Sequence, residues 1–334
     1  MSTGASPAAW RRVATVGLGL AVGAAGLALS LRGVRWPALV EALKGVERGW
    51  LAVAVVCSAG VGVLKATRWY RLFVPDHGQL DWGSVVATLL LAQMINVVVP
   101  VRGGGEALRI GLLTRRFPVS VLRVGGTIVL EKLLDVASLS LLAVAVAPVA
   151  ARIVDRPILS RAMLLLSAGA FLGLALGVRF RRELQGWLER WPGIARQVDQ
   201  LLRGFNALRS GDWAWEPVAW TAAVRCLSFA SLLAAVRSMG VRVPLLAAVA
   251  LDVLLNLSFL LPTPPALIGL VQYASVLVLG LFGIPRAEAL GAGVMLHLTI
   301  LSPFLLFGLP AWVYVSGFSP RRSGLQGMED GGRS

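Results

Sequence analysis

Glu131, Lys132 and Asp135 interrupt an apolar run that follows Pro118 and extends to about Ala150. On insertion scales a charged side chain near a helix centre costs about 2.5–3.5 kcal/mol, so the three treated as independent unpaired charges would cost roughly 8–10 kcal/mol. They therefore need partners or water. At helical spacing Glu131 and Asp135, four apart, share a face, and Lys132 and Asp135, three apart, are within reach of each other. The chemistry open to such a set is an ion cluster that glues helices or the lining of a polar path. Inside a membrane segment the path is the default reading.

A second set stands at Arg102-Gly103-Gly104-Gly105-Glu106-Ala107-Leu108-Arg109. One helical face can carry Arg102, Glu106 and Arg109. The glycine run offers backbone N–H groups at a helix N-terminus, where an anion is favoured. Glu106 opposes an anion unless Arg102 or Arg109 neutralises it. Phosphate suits the site, because guanidinium donors match its oxygens in pairs. Other polar residues lie inside apolar segments: Asn96, Arg225, Asp252, Asn256, Gln272 and His297. The expected division of labour gives phosphate to Arg102, Arg109 and Arg225, with Gly103 and Gly104 offering backbone donors. Glu106, Glu131 and Asp135 balance these charges or receive a cationic part of a headgroup, and Lys132 pairs with Asp135. Asn96, Asn256, Gln272 and His297 supply neutral hydrogen bonds.

Little else in the chain can do chemistry. Cys57 and Cys226 sit in different apolar segments, and the two histidines are His77 and His297, so no metal-ligand spacing or disulfide framework emerges. No G-x-S-x-G or Walker loop appears. A cofactor or metal is not expected, and neither is an enzyme, although a membrane enzyme acting on lipid-linked substrates and a non-transporting scaffold remain the competing classes. The net charge is +15, and all basic residues but Lys44, Lys65 and Lys132 are arginine. These arginines fall mostly between apolar runs, where anionic headgroups lie. No basic stripe on a soluble domain points to nucleic acid.

The elements that must hold these residues follow from composition. Hydrophobic residues make up 57% of the 334, charged residues 15%, and the mean hydropathy is +0.75. Globular domains average roughly 45–50% and about 25%. The chain reads as an all-α polytopic membrane protein with about eight transmembrane helices, two re-entrant segments and an internal repeat. Expected spans are Val13–Leu31 (a retained helix, too long for a signal-peptide core), Gly49–Thr67, Trp82–Val101, Pro118 to about Ala150, Ile158–Val178, Trp215–Met239, Val243–Leu261 and Pro285–Val315. Gly103–Arg116 and Pro264–Phe282 are the expected re-entrant hairpins, since Pro/Gly breaks are tolerated in a bilayer only where protein or a cavity covers them. Residues 49–149 and 215–316 share an order of landmarks: Arg68 and Arg225, Asn96 and Asn256, Pro100 and Pro262, then a long helix carrying Glu131 or His297. Transporters are often built from such repeats. Residues 179–212 have apolar positions at steps of three and four, a helix for the bilayer surface, and 318–334 read as a disordered tail.

The pattern Asn96-x3-Pro100-x-Arg102-Gly103…Glu106-x2-Arg109, followed by Glu131-Lys132-x2-Asp135, resembles the flippase-like membrane domain of lysylphosphatidylglycerol synthases. Arg68-Trp69 and Pro262…Ile268-Gly269-x2-Gln272 fit it too, and the resemblance covers about Gly49 to Val315. It implies a multi-pass, lipid-handling domain in a prokaryotic cell membrane, which in the two-domain relatives moves an aminoacylated phospholipid between leaflets. The sequence carries no aminoacyl-transferase domain after Tyr314, so synthesis of lysyl-lipid by this chain is not expected. Two positions depart from the family's pattern. Lys132 stands where arginine is usual, and Thr263-Pro264-Pro265-Ala266 stands where a glycine-rich turn is usual.

Overall fold

A computed structural model of the chain describes residues 7–73, 80–98, 103–153, 168–169, 172, 200, 203–208, 215–258 and 264–317. The span expected at 158–178 and the amphipathic helix at 179–212 thus lie almost entirely outside the described residues, as do Arg102 and the tail 318–334. All regular elements among the described residues are helical: α1 (Pro7–Leu31), α2 (Trp36–Lys44), α3 (Arg48–Arg71), α4 (Trp82–Val98), α5 (Gly104–Arg116), α6 (Val121–Ile153), α7 (Glu216–Arg237), α8 (Leu245–Ser258), α9 (Leu270–Leu281) and α10 (Arg286–Ser316), with 3-10 turns at Arg203–Leu208 and Pro265–Leu267. The protein is a helical integral membrane protein. By length and apolarity α3, α7 and α10 can each cross a bilayer, and α1 with α2 forms a broken pair bent by 91°.

Local chemistry sets the boundaries. Asp81 caps α4, its Oδ2 accepting the Ser84 N–H at 2.7 Å. Gly103, at φ +79°, makes the left-handed entry to α5. Phe117 is extended (φ −123°, ψ 156°) because Pro118 follows it, and α5 stops there. Pro217 opens α7 and Pro285 precedes α10, positions that need no helical N–H.

Contacts at the helix tips define two ends of the bundle. At the first, the Glu47 N–H donates to the Ser238 carbonyl (2.7 Å), the Arg237 guanidinium lies 5.3 Å from the Trp50 ring, and Arg286 donates to the Leu29 carbonyl (2.6 Å). At the second, Arg71 faces Glu216 (4.0 Å), Tyr314 donates to Asp81 (3.2 Å), Trp82 donates to Thr67 (3.3 Å) and Arg123 donates to the Phe73 carbonyl (3.3 Å). Helix α3 therefore runs from first end to second, α7 returns antiparallel, and α10 runs first to second again. Helix α4 leaves the second end. Gly105 meets Ala92 and Asn96, while Leu108 and Leu112 join Ala87, Leu90 and Leu91, so α5 lies antiparallel on α4 and returns to the second end. Helices α8 and α9 leave from and return to the first end, between the tip of α7 and the start of α10.

One expectation changes here. Gly103–Arg116 and Pro264–Phe282 are not hairpins in themselves: each holds one short helix, whose antiparallel partner is the preceding α4 or α8. Packing crosses between the halves, with α3 along α7, α4 along α10 and α6 along α8. The largest apolar core joins α7, α8, α9 and α10, and a second one surrounds Trp69, Phe73, Leu89, Leu113 and Leu130.

Candidate functional site

Arg68 is fully buried on α3 and organises the first cluster. Its Nη1 donates to Asp135 Oδ1 at 2.6 Å and to Thr221 Oγ1 at 3.1 Å, and its Nη2 to Glu131 Oε1 at 3.4 Å. The other Glu131 oxygen accepts from Arg109 on α5. Arg109 also lies flat over Trp69, 3.8 Å from the ring centroid, and the Trp69 indole donates to Thr127 at 3.1 Å. A guanidinium can offer its edge to a carboxylate and its face to a ring at once, which an ammonium cannot. Four helices are thereby tied at one point: α3, α5, α6 and, through Thr221, α7.

Nearer the surface, Lys132 Nζ lies 3.2 Å from Glu106 Oε1, with 59% of the lysine side chain exposed. Asn96 bridges the α4–α5 turn: its Oδ1 accepts the Gly105 N–H at 2.8 Å and its amide donates to Glu106 at 3.4 Å. Beyond Asp135, whose side chain remains 32% exposed, Arg225 on α7 reaches Ser138 (3.1 Å), the Asp135 carbonyl (3.4 Å) and Asp252 on α8 (3.5 Å). Asn256 donates back to Asp252 at 3.1 Å. The ionic groups thus form one network from Arg109 through Glu131, Arg68, Asp135 and Arg225 to Asp252, contributed by both halves, and the Glu106–Lys132 pair lies beside it on α5 and α6.

Gln272 and His297 belong to a different network, beneath the second break. The Gly269 N–H donates to Gln272 Oε1 (2.9 Å), the Gln272 amide donates to His297 Nδ1 (2.7 Å), and His297 Nε2–H donates to the Ala266 carbonyl (2.6 Å). This donor–acceptor order fits a neutral imidazole with its proton on Nε2. The network holds Ala266 and Leu267 at φ 52° and 61°, a left-handed conformation unfavourable for residues with a Cβ. Gly23 and Gly26 of α1 let that turn approach: a Cβ on Gly26 would meet the Gly269 carbonyl oxygen at 2.8 Å.

Several expected pairings change. Lys132 pairs with Glu106 rather than Asp135, which goes to Arg68. Glu106 is neutralised by Lys132 and not by Arg109, which goes to Glu131. The glycine run does not leave all its N–H groups open, because Asn96 takes that of Gly105. Glu131 and Asp135 do share one face and meet the same arginine. The sequence reading missed Arg68, Trp69, Ser138 and Thr221 as members of the site. Arg68 and Trp69 carried a signal, as a pair that fits the family pattern and as basic and aromatic neighbours at the end of an expected span; Ser138 and Thr221 carried none.

No curated protein and no solved structure matches the chain. A family model described as lysylphosphatidylglycerol synthase TM region matches residues 16–308. That match covers most of the chain and contains every residue of the two networks above: the protein belongs to the lysylphosphatidylglycerol synthase TM region family.

Proposed function

We propose that the protein is a flippase-like transporter that binds a lipid with an anionic, phosphate-bearing headgroup and moves it between leaflets. One observation carries this reading: an ionic network from Arg109 to Asp252 crosses between the halves of an otherwise apolar bundle and stays partly exposed at Asp135, with the partly exposed Lys132–Glu106 pair beside it. Charges placed in a membrane domain at this cost mark a substrate path by default. The candidate contacts are the accessible members, Arg225, Lys132, Asp135 and Glu106, backed by Arg109 and Glu131, with Arg102, Gly103 and Gly104 at the turn. Asn96 holds the α4–α5 turn in shape, Gln272 and His297 hold the second break, and Asn256 supports Asp252. The reading is of a transporter without a catalytic step or cofactor.

The architecture we propose is an inverted repeat in which each half carries one re-entrant helical hairpin. Hairpin α4–α5 enters from the second end and α8–α9 from the first, and exchanging the halves leaves the packing pattern unchanged: α4 on α10 matches α8 on α6, and α3 on α7 maps onto itself. Alternating access by rocking one repeat against the other suits such a design. The test is leaflet-resolved exchange of fluorescent anionic phospholipid in proteoliposomes of the purified chain. Exchange above empty liposomes is expected, and its absence would move the weight to a structural role. That second reading has support of its own, since each carboxylate of the cluster already has a cation of the same chain beside it.

A further inference from the structure

Lys65 is the ionic residue in this region that the pairings above leave out. It lies three residues before Arg68, on the same face of α3. It is half-buried, one helical turn from the Arg68 guanidinium that meets Asp135 and Glu131. Among the described residues it makes no hydrogen bond and no ion pair. Among the described residues every carboxylate nearby is already committed: Glu131 to Arg68 and Arg109, Asp135 to Arg68, Glu106 to Lys132, and Asp252 to Arg225. Counted as ions, Lys65, Arg68, Arg109, Lys132 and Arg225 face four carboxylates, which leaves one positive charge in excess.

The donor count leans the same way. The buried Nε groups of Arg68, Arg109 and Arg225 have no hydrogen-bond acceptor. Buried donors without acceptors are rare in folded proteins. The cluster is therefore short of one negative charge and of acceptor oxygens, and a phosphodiester supplies both: a single charge on two free oxygens.

Building on the transport reading, we propose that Lys65 is the headgroup contact and that the site takes a phospholipid whose headgroup carries one net negative charge. An aminoacylated phospholipid fits poorly. Its added ammonium would enter a cluster whose carboxylates are all paired and would meet the uncompensated Lys65. The specificity of this chain is thus set by the charge balance around α3, and it opposes what the synthase-type substrate would need.

The test is thermal protection of the full-length chain in neutral detergent, read as the monodisperse fraction after heating. The probes are short-chain phosphatidylglycerol, short-chain lysyl-phosphatidylglycerol and inorganic phosphate, with wild type, Lys65→Gln and Lys65→Arg. Phosphatidylglycerol is expected to raise the midpoint of wild type and Lys65→Arg, with at least tenfold weaker half-saturation in Lys65→Gln. Lys65→Gln without ligand should be as stable as wild type or more so. Equal protection of Lys65→Gln would overturn the assignment of Lys65. Equal or better protection by the lysyl lipid would overturn the charge selection. Protection by inorganic phosphate as strong as by the lipid would overturn the lipid as source of the anion. Lys65-dependent protection in a protein that moves no lipid would keep the site and sink the transport reading.

Discussion

Glu131→Gln is the most informative single change. The Glu131 side chain is 7% exposed and serves two guanidinium groups, Arg68 and Arg109, whose side chains are 0% and 6% exposed. Gln keeps the shape and removes the charge. Arg68 retains Asp135 at 2.6 Å and Thr221 at 3.1 Å, but Arg109 retains no anionic partner, only the Trp69 face and the neutral amide oxygen it shares with Arg68. Breaking one partner out of a buried pair typically costs about 3–5 kcal/mol, because a desolvated charge is left uncompensated. Against a typical total stability of about 5–15 kcal/mol that is a large fraction. Arg109→Met should be destabilising for the mirror reason, and the double variant Glu131→Gln/Arg109→Met should recover part of the loss. A coupling of about 0.5–3 kcal/mol is the range for residues in one network. The assay is the temperature at which half the protein leaves the monodisperse peak in detergent. If Glu131→Gln keeps the wild-type midpoint, or if the double variant is as unstable as the sum of the singles, the pairing does not hold the bundle and the argument fails.

Other outcomes follow from the same geometry. Gly105→Ala should destabilise by about 1–3 kcal/mol, the usual range for overpacking, since its Cβ would lie 2.7 Å from the Asn96 amide carbon; an unchanged midpoint would argue against the close α4–α5 turn. In a background without Cys57 and Cys226, Trp82→Cys and Phe117→Cys should label from one side of the membrane and Leu245→Cys and Leu281→Cys from the other; all four labelling from one side would end the inverted-hairpin reading. Asp81, at the second end and outside the spans, has its carboxyl held below the usual carboxylate range, chiefly by the Ser84 backbone N–H. A depressed pKa adds stability that is present above the unfolded value and fades as pH falls through the folded one. Wild type should therefore lose more stability than Asp81→Asn when pH is lowered from 6 to about 3, and parallel losses would remove the cap argument.

Lipid exchange adds one further contrast. Lys132→Ala should cost at most about 1 kcal/mol, the range for exposed pairs, because most of the lysine side chain is solvent-exposed. If it nevertheless slows exchange severalfold, the Lys132–Glu106 pair acts in transport rather than in folding. A large stability loss with normal exchange would refute that placement.

The sequence by itself determined the class of the protein and the identity of most of the costly charges. Apolar runs of span length, broken at Pro and Gly, are a local property that backbone hydrogen bonding in a bilayer makes compulsory. Glu131 and Asp135 share a face because a helix repeats every 3.6 residues, whatever surrounds it. What only the tertiary structure decided is which cation each carboxylate meets. Lys132 is one residue from Glu131 and three from Asp135, yet it turns to Glu106 on another helix, because α5 lies back along α4 and brings Glu106 to it. Arg68 looked like a boundary residue, since aromatic and basic neighbours at a span's end read that way; its 0% exposure arises from α6 and α7 closing over it, separated from it by 63 to 153 residues of chain. The hairpin partners were misread for a related reason. An apolar helix that pairs with its neighbour in a hairpin and one that spans alone have the same local composition, and the end to which the chain returns depends on contacts such as Tyr314 with Asp81 that no local pattern encodes. Long-range pairing is set by where helices pack, and packing is a property of the whole bundle rather than of any one segment.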